Sequence, residues 1–96
     1  MEFCLNPQHA SPEWPAGYWP ANDATADQQT WDATRRQIRQ DRQRFTDLLQ
    51  ADGTDLLAPL PHGTGQTILR EALLISDHAS YHTGEIVLVR RLLGAW

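Results

Sequence analysis

The sequence predicts an all-α protein, and three observations support that class. Residues 24–51 and 66–94 form two long stretches that lack proline and are rich in side chains that favour helices. No stretch alternates apolar and polar residues as a half-buried strand does. The second stretch is too apolar to lie alone in water. We therefore expect a long antiparallel helical hairpin preceded by an extended arm rich in proline and tryptophan, with homodimerisation completing a four-helix bundle.

The composition narrows the kinds of partner that this 96-residue chain can have. Its 8 basic residues are all arginine and are outnumbered by 12 acidic ones, which gives a formal charge of −4. Nucleic-acid binding depends on neutralising phosphates, so we expect no nucleic-acid partner. The apolar runs are far shorter than the ~20 residues that span a bilayer, and the N-terminus does not read as a signal peptide. With a single cysteine, these features predict one cytoplasmic domain that binds no membrane.

Residues 1–22 are expected to form the extended arm. Four of the six prolines fall in this segment, and proline fixes φ and removes a backbone donor. We expect the aromatic rings of the arm to pack onto the rest of the protein, because disordered segments are usually poor in such residues. The alternative is a partly disordered lead-in. The rings concerned are those of Trp14, Tyr18 and Trp19.

The first helix is expected over residues 24–51. Asn22 or Asp23 is placed to cap its N-terminus, and the Asp27 carboxylate falls in the first turn, where the helix dipole favours negative charge. Gly53 follows the C-terminus, a position at which glycine is favoured. A narrow apolar stripe runs along one side of this helix. Its members are Trp31, Ile38, Phe45 and Leu49.

Residues 54–65 connect the two helices, because prolines and glycines interrupt helical structure there. Thr64 or Gln66 is expected to open the second helix, which spans residues 66–94 and stops at Gly94. This helix is apolar nearly all round, which is typical of a helix buried on more than one side. Three leucines of the connection are expected to pack inward: Leu56, Leu57 and Leu60.

The apolar second helix needs more partner surface than one hairpin offers. The stripe on the first helix covers one of its sides and leaves the others open to water. A second copy of the chain is the simplest cover, because two hairpins related by a two-fold axis form a four-helix bundle. We therefore expect a homodimer. The alternative is a monomer closed by its aromatic arm.

His78 and His82 are the candidate metal ligands. Four residues separate them, so both imidazoles project from one face of the second helix, as the histidine pair of helical metal motifs does. Glu71 and Glu85 lie within about 20° of His78 on that face, where they can act as outer-shell partners or additional ligands. The alternative is a set of hydrogen bonds that fixes helix register without a metal.

Catalytic zinc usually has at least three protein ligands, so the pair needs a further donor. His62 in the connection and His9 in the arm are candidates, although no spacing ties either of them to the pair. A symmetric dimer could instead bring both copies of the pair together.

Three segments form a recognisable pattern: Gly65–Leu73, Asp77–Ile86 and Arg90–Trp96. The middle segment contains the run D-H-A-S-Y-H-T-G-E, and the arm contains W-P-A-G-Y-W-P. Together these segments resemble the C-terminal part of DinB-like (DinB/YfiT) proteins, which are four-helix bundles. The resemblance implies a truncated DinB-like domain over residues 1–96, because the first two helices of that family have no counterpart in this sequence.

The resemblance also implies a metal site. In the family, the last helix gives two histidines to a divalent metal and an earlier helix gives the third; His78 and His82 match the two. Glu85 stands where the family usually has glutamine. Some relatives use the metal to activate a low-molecular-weight thiol in transferase or isomerase reactions, which makes a small-molecule thiol a candidate partner.

Three functions are compatible with these features. The first is a DinB-like protein that binds Zn²⁺ or Ni²⁺ through His78 and His82, which the pair and its glutamates favour. The second is a non-catalytic dimeric helical module whose polar stripe sets the pairing, which the missing third histidine favours. The third is a fragment of a metal-dependent thiol transferase. The sequence assigns no catalytic residue.

Overall fold

The computed structural model describes residues 1–21, 24 and 26–96. Within them the chain forms α-helices and no β-strand, which confirms the all-α prediction. The chain divides into two compact units, an N-terminal unit (Met1–Thr54) and a C-terminal unit (Asp55–Trp96). The regular structure of the described residues consists of α1 (Glu2–Leu5), a 3₁₀ turn (Ala16–Tyr18), α2 (Gln28–Gln50) and α3 (Ile68–Leu92).

The arm differs from the extended, packed segment that the sequence predicts. It contains α1 and the 3₁₀ turn, and α1 contacts α2, where Arg44 Nη1 lies 3.2 Å from Glu2 Oε2. The side chains of Trp14, Tyr18 and Trp19 are 75%, 52% and 72% exposed. The prediction that these rings pack onto the rest of the protein is therefore wrong.

A local turn explains the exposure of these rings. The Gly17 N–H donates to the Glu13 carbonyl oxygen at 2.7 Å, which folds the segment onto itself. A Cβ at Gly17 would lie only 2.7 Å from Pro12 Cβ, so this close approach requires glycine. The turn brings the Trp14 and Tyr18 rings together, with centroids 5.6 Å apart. The two rings thus contact each other, and most of their surface remains in water.

α2 begins later than the sequence predicts because Asp27 caps it. The Asp27 carboxylate accepts a hydrogen bond from the Thr30 backbone N–H at 2.7 Å, and this bond holds the pKa of the carboxyl below its usual 3.8. The first helical residue is Gln28, so Asp27 is the cap and not a residue of the first turn. The caps expected from Asn22 or Asp23 lie outside the described residues.

Three glutamine–aspartate pairs stabilise the polar surface of α2. In each pair the glutamine Nε2 donates to the carboxylate four residues later: Gln28–Asp32 (3.1 Å), Gln37–Asp41 (2.9 Å) and Gln43–Asp47 (2.7 Å). A pair of this kind stabilises a helix by roughly 0.2–0.5 kcal/mol. Side chains that face water therefore provide part of the stability of α2.

The apolar stripe of α2 is buried only towards the C-terminal end of the helix. Phe45 is 6% exposed, whereas Trp31 and Ile38 are 58% and 59% exposed. Leu48 and Leu49 are half-buried. Because α1 has only 4 residues, it covers about one turn of α2 and leaves the N-terminal half of the stripe in water.

The connection folds back along the start of α3. Pro59 and Thr67 form an isolated antiparallel bridge, and the Leu60 N–H donates to the Gln66 carbonyl oxygen at 2.7 Å. Leu60 and Ile68 are each 8% exposed, so buried side chains of the C-terminal unit lie where the connection meets the helix.

The three leucines that were predicted to pack inward have different outcomes. Leu60 is buried, Leu56 is half-buried, and Leu57 is 69% exposed, so the prediction for Leu57 is wrong. The reason is a tight turn at Asp55, whose Oδ1 accepts hydrogen bonds from the backbone N–H groups of Leu57 (2.9 Å) and Ala58 (3.1 Å).

Thr67 caps α3, and not Thr64 or Gln66 as the sequence predicts. Its Oγ1 accepts a hydrogen bond from the Arg70 backbone N–H at 3.1 Å. The Gln66 side chain instead serves the connection, where its Oε1 accepts from the Thr64 N–H at 2.6 Å. The β-bridge between Pro59 and Thr67 thus places Thr67, among several residues that could cap a helix, at the N-cap of α3.

α3 ends at Leu92, and Gly94, the residue at which the sequence predicts the stop, follows the C-cap Leu93. Gly94 adopts a φ of +64°, its N–H donates to the Arg91 carbonyl oxygen at 3.1 Å, and the Ala95 N–H donates to the Arg90 carbonyl oxygen at 2.9 Å. This is the Schellman arrangement, which satisfies carbonyl groups of the last turn. The guanidinium groups of Arg90 and Arg91 also lie over the Trp96 ring, at 5.2 and 5.5 Å from its centroid.

Most of the apolar surface of α3 is exposed in the single chain. Among the residues of α3, all of which the structure describes, Ile68 alone is buried. Its other large apolar and aromatic side chains include eight that are 38–78% exposed: Leu69, Leu73, Leu74, Tyr81, Ile86, Leu88, Val89 and Leu92. Exposed apolar patches larger than a few hundred Å² are uncommon on monomers. None of the helices formed by the described residues is long and apolar enough to span a bilayer.

Candidate metal centre

His78 and His82 meet at the middle of α3. One helical turn separates them, so both side chains project from the same face of the helix. Their Nε2 atoms lie 2.9 Å apart, and the two rings stand at 80° to each other with centroids 4.4 Å apart. The pair therefore directs two imidazole nitrogens towards a common point.

Glu85 fixes the protonation of one of these rings. His82 Nδ1 lies 2.6 Å from Glu85 Oε2, and an ionised carboxylate can only accept, so Nδ1 carries the proton. In a neutral His82, Nε2 is then unprotonated. That nitrogen can accept a hydrogen bond from His78 Nε2–H or bind a metal ion. The His82 and Glu85 side chains are about half exposed, at 51% and 49%.

Tyr81 also interacts with the Glu85 carboxylate, although the sequence pattern does not identify it as a residue of the candidate site. The Glu85 carboxylate accepts a hydrogen bond from the Tyr81 hydroxyl and, with its negative charge, raises the pKa of Tyr81 above the usual 10.0. The Tyr81 ring also packs edge-on against His82, with centroids 5.2 Å apart. The four-residue spacing between Tyr81 and Glu85 is the sequence signal for this contact. Glu85 is therefore oriented by two partners.

Glu71 lies apart from this cluster. It belongs to the first turn of α3, where its carboxylate pairs with Arg70 Nη1. Glu71 and His78 are seven positions apart in the sequence, which corresponds to about 10 Å along the helix axis. Glu71 shares the helix face of the pair, but the structure does not bring its carboxylate to the imidazoles of the same chain.

The described residues contain no group of three His, Cys, Asp or Glu side chains that could hold a metal ion. His9 and His62 are half-buried and belong to no such group. Among the described side chains, no third donor is therefore grouped with His78 and His82.

The histidine pair has the dimensions of a two-nitrogen chelate. With Zn–N bonds of about 2.0–2.1 Å, a tetrahedral angle places two nitrogens about 3.3 Å apart, and a right angle places them about 2.9 Å apart. The Nε2 atoms of His78 and His82 are 2.9 Å apart, so the rings need to separate by about 0.4 Å at most. Imidazole nitrogen is a suitable ligand for Zn²⁺ and Ni²⁺. A tetrahedral ion bound by this pair keeps two open positions.

An open groove of about 410 Å³ lies on α3 on the N-terminal side of the imidazoles. The residues that line it are Thr67, Leu69, Arg70, Leu73, Leu74 and Asp77. Neither imidazole belongs to its lining, so the groove and the imidazole nitrogens are separate features of the helix. Its leucines form part of the exposed apolar surface of α3.

Comparison of the chain with protein-family models, curated proteins and solved structures gave no match. The function is therefore inferred from the residues and geometry of the cluster on α3.

Proposed function

We propose that this chain is a DinB-like metal-binding protein that holds Zn²⁺ or Ni²⁺ through the Nε2 atoms of His78 and His82. The observation that carries this proposal is the 2.9 Å separation of those atoms, with Glu85 bound to His82 Nδ1. A carboxylate behind an imidazole fixes its tautomer and makes the opposite nitrogen a better metal ligand. The resemblance of Asp77–Ile86 to the DinB-like motif supports the same assignment.

The residues around the pair have distinct roles in this proposal. His78 and His82 are the ligands, and Glu85 is an outer-shell partner that Tyr81 orients. Glu71 shares the face of the pair but is engaged by Arg70. A bound divalent ion lowers the pKa of a coordinated thiol, which is the chemistry that a small-molecule thiol would require. No residue of the chain is assigned to catalysis.

The same proposal includes a homodimer. In it, α2 and α3 pair as an antiparallel hairpin, and two hairpins form a four-helix bundle. The exposed apolar surface of α3 supports this assembly, because burying one Leu, Ile or Val side chain completely contributes roughly 1.5–3 kcal/mol. A partner that covers several of these side chains therefore gains substantial free energy.

A metal titration of protein purified without a histidine tag tests the metal site. We expect saturable binding of Zn²⁺ or Ni²⁺, which each of His78→Ala and His82→Ala weakens and the double variant abolishes, because each substitution removes one of the two imidazoles of the chain. His9→Ala, which removes an imidazole from the N-terminal unit, is the matched control and should keep full binding. Equal metal content in the unchanged protein and in the double variant His78→Ala plus His82→Ala would reject the site.

A non-catalytic dimeric helical module is the second candidate function. The same 2.9 Å contact supports it, because His78 Nε2–H can donate to His82 Nε2 in the absence of a metal. In that case the row from His78 through His82 and Glu85 to Tyr81 fixes helix register in the dimer. Tag-free protein that stays dimeric after treatment with a chelator and holds no metal would favour this candidate.

A further inference from the structure

We infer that one divalent ion is shared by two copies of this chain, bound by His78 and His82 of one copy and by His78 and His82 of the partner subunit. This inference rests on the proposed metal site and adds the identity of the remaining ligands. It requires one ion for every two chains. It also requires the two α3 helices to lie side by side and antiparallel, with a two-fold axis between the histidine pairs.

The coordination number favours a shared ion. A closed zinc site takes four protein ligands, and one chain supplies two from the pair. The part of the chain that the structure describes has no third candidate grouped with them. In an isologous dimer, every residue near the axis occurs twice, so two nitrogens become four. Four imidazoles then satisfy the tetrahedral preference of the ion.

The position of the pair along α3 favours antiparallel pairing. His78 and His82 are centred on Ser80, which is also the midpoint of Ile68–Leu92. A two-fold axis at Ser80 therefore overlaps the two helices over their full length, about 37 Å. A pair nearer to either end of the helix would allow only partial overlap in this arrangement.

The surface around the pair is apolar and open to a partner. At 100° per residue, Leu74, Val89 and Leu92 lie within roughly 40° of His78 on the helix surface. Their side chains are 45%, 52% and 78% exposed. A second copy that brings its imidazoles to the ion covers these side chains at the same time. Metal binding and apolar burial would therefore occur in one interface.

The dipoles of the two helices also fit this arrangement. Antiparallel helices place the positive end of one dipole beside the negative end of the other, whereas parallel helices place like ends together.

Glu85 completes the charge balance at the ion. Four neutral imidazoles leave the two positive charges of the metal uncompensated, which is costly in an apolar interface. Glu85 and the partner's Glu85 supply two negative charges, each one hydrogen bond away from a ligand ring. The site then carries no net charge.

The test combines two measurements on the tag-free full chain during a Zn²⁺ titration. Elemental analysis gives the number of ions per chain, and light scattering gives the mass. We expect saturation at one ion per two chains and a metal-loaded mass of twice 10.9 kDa, which a chelator shifts towards the monomer. Co²⁺ used in place of Zn²⁺ should show the strong visible absorption of a tetrahedral site.

Val89→Glu tests the proposed interface without changing the metal ligands. It keeps every metal ligand and places a carboxylate on an exposed position, so the helix should still form, but the metal-loaded dimer should be lost. Arg35→Glu makes a comparable substitution on an exposed face of α2 and is the matched control, which should dimerise as the unchanged chain does.

The outcomes distinguish this inference from the proposed function on which it rests. Saturation at one ion per chain, with the mass of a monomer or a dimer, overturns the shared site and leaves the metal site of each chain standing. Binding that persists in the double variant His78→Ala plus His82→Ala overturns both. One ion per two chains, lost in that double variant together with the metal-induced dimer, supports the shared site.

Discussion

α2 and α3 are nearly equal in length, at 23 and 25 residues, but they depend on different sources of stability. α2 is polar over most of its surface and has three glutamine–aspartate pairs along it. Among its residues, all described, Phe45 alone is buried. α3 is largely apolar, and most of that surface is exposed in the single chain. α2 therefore presents a mostly polar surface to water, and α3 presents a largely apolar one.

The comparison shows that the formation of a helix and the burial of its apolar side chains depend on different interactions. Both helices have a well-formed N-cap, with Asp27 on α2 and Thr67 on α3, so local interactions specify where each begins. α3 leaves more large apolar side chains in water than α2, whose exposed ones include Trp31 and Ile38. The cluster from His78 to Glu85 interrupts the apolar surface of α3, so in the proposed dimer the same interface would hold the imidazoles.

The largest effect is expected at the buried side chain of α2. Phe45→Ala removes a ring that is 6% exposed and should lower the free energy of unfolding by about 3 kcal/mol. Ile38→Ala, at a position 59% exposed in the same helix, is the control and should change it by less than about 0.5 kcal/mol. Urea unfolding followed by circular dichroism measures both. Equal losses of unfolding free energy in the two variants would mean that Ile38 is covered in solution, and the contrast between a buried and an exposed position of α2 would then fail.

The end of α3 should show the next largest effect. Gly94→Ala forces a residue with a Cβ into a φ of +64°, which should cost about 1–2 kcal/mol. Gly84→Ala lies inside the same helix, where an added Cβ meets nothing within 4 Å, and should stabilise it by roughly 0.5–1 kcal/mol. Thermal unfolding compares the two. If Gly94→Ala is as stable as the unchanged chain, the turn at Gly94 does not require glycine.

The cap of α2 should make its stability depend on pH, with a smaller effect. The folded-state pKa of Asp27 lies below the usual 3.8, so the carboxylate stabilises the helix fully above pH 3.8 and less as the pH falls through the folded-state value. Asp27→Ala should remove this loss of helicity below pH 3.8, and Asp52→Ala should leave it unchanged. Circular dichroism from pH 5 to about 2 tests the difference. Identical acid profiles for Asp27→Ala and the unchanged chain would contradict the cap.

The smallest effect is expected at one glutamine–aspartate pair of α2. Gln43→Ala removes the 2.7 Å hydrogen bond to Asp47, whereas Gln40→Ala removes a glutamine that is followed four residues later by Arg44. The first variant should be less stable than the second by roughly 0.2–0.5 kcal/mol. Precise urea denaturation can resolve a difference of this size. If Gln40→Ala is the less stable variant, these pairs do not stabilise α2.

The helices could be predicted because their signals are local, but their first residues could not. Several residues able to cap a helix stand close together before α3, among them Thr64 and Thr67. The backbone bridge between Pro59 and Thr67 decides between them, and it depends on how the connection folds. The four residues of α1 (Glu2–Leu5) are too few to give a periodic pattern.

The sequence predicts which side chains of the candidate site share a face of the helix, but not how far apart their atoms lie. The four-residue spacing of His78 and His82 predicts two rings on one face, and the structure shows where their nitrogens meet. The angle alone also groups Glu71 with them, although it lies two turns away along the helix axis. The contact of Tyr81 with Glu85 depends on side-chain rotamers, which the sequence does not specify.

The exposure of the tryptophan side chains has a consequence for spectroscopy. All four tryptophans of the chain lie largely in water: Trp14 (75%), Trp19 (72%), Trp31 (58%) and Trp96 (72%). An indole in water emits at long wavelength in both folded and unfolded chains, so intrinsic fluorescence reports little about folding of the monomer. In the proposed dimer, a second subunit that covered Trp31 or Trp96 would move the emission to shorter wavelength. The tryptophans would then report association at protein concentrations too low for scattering.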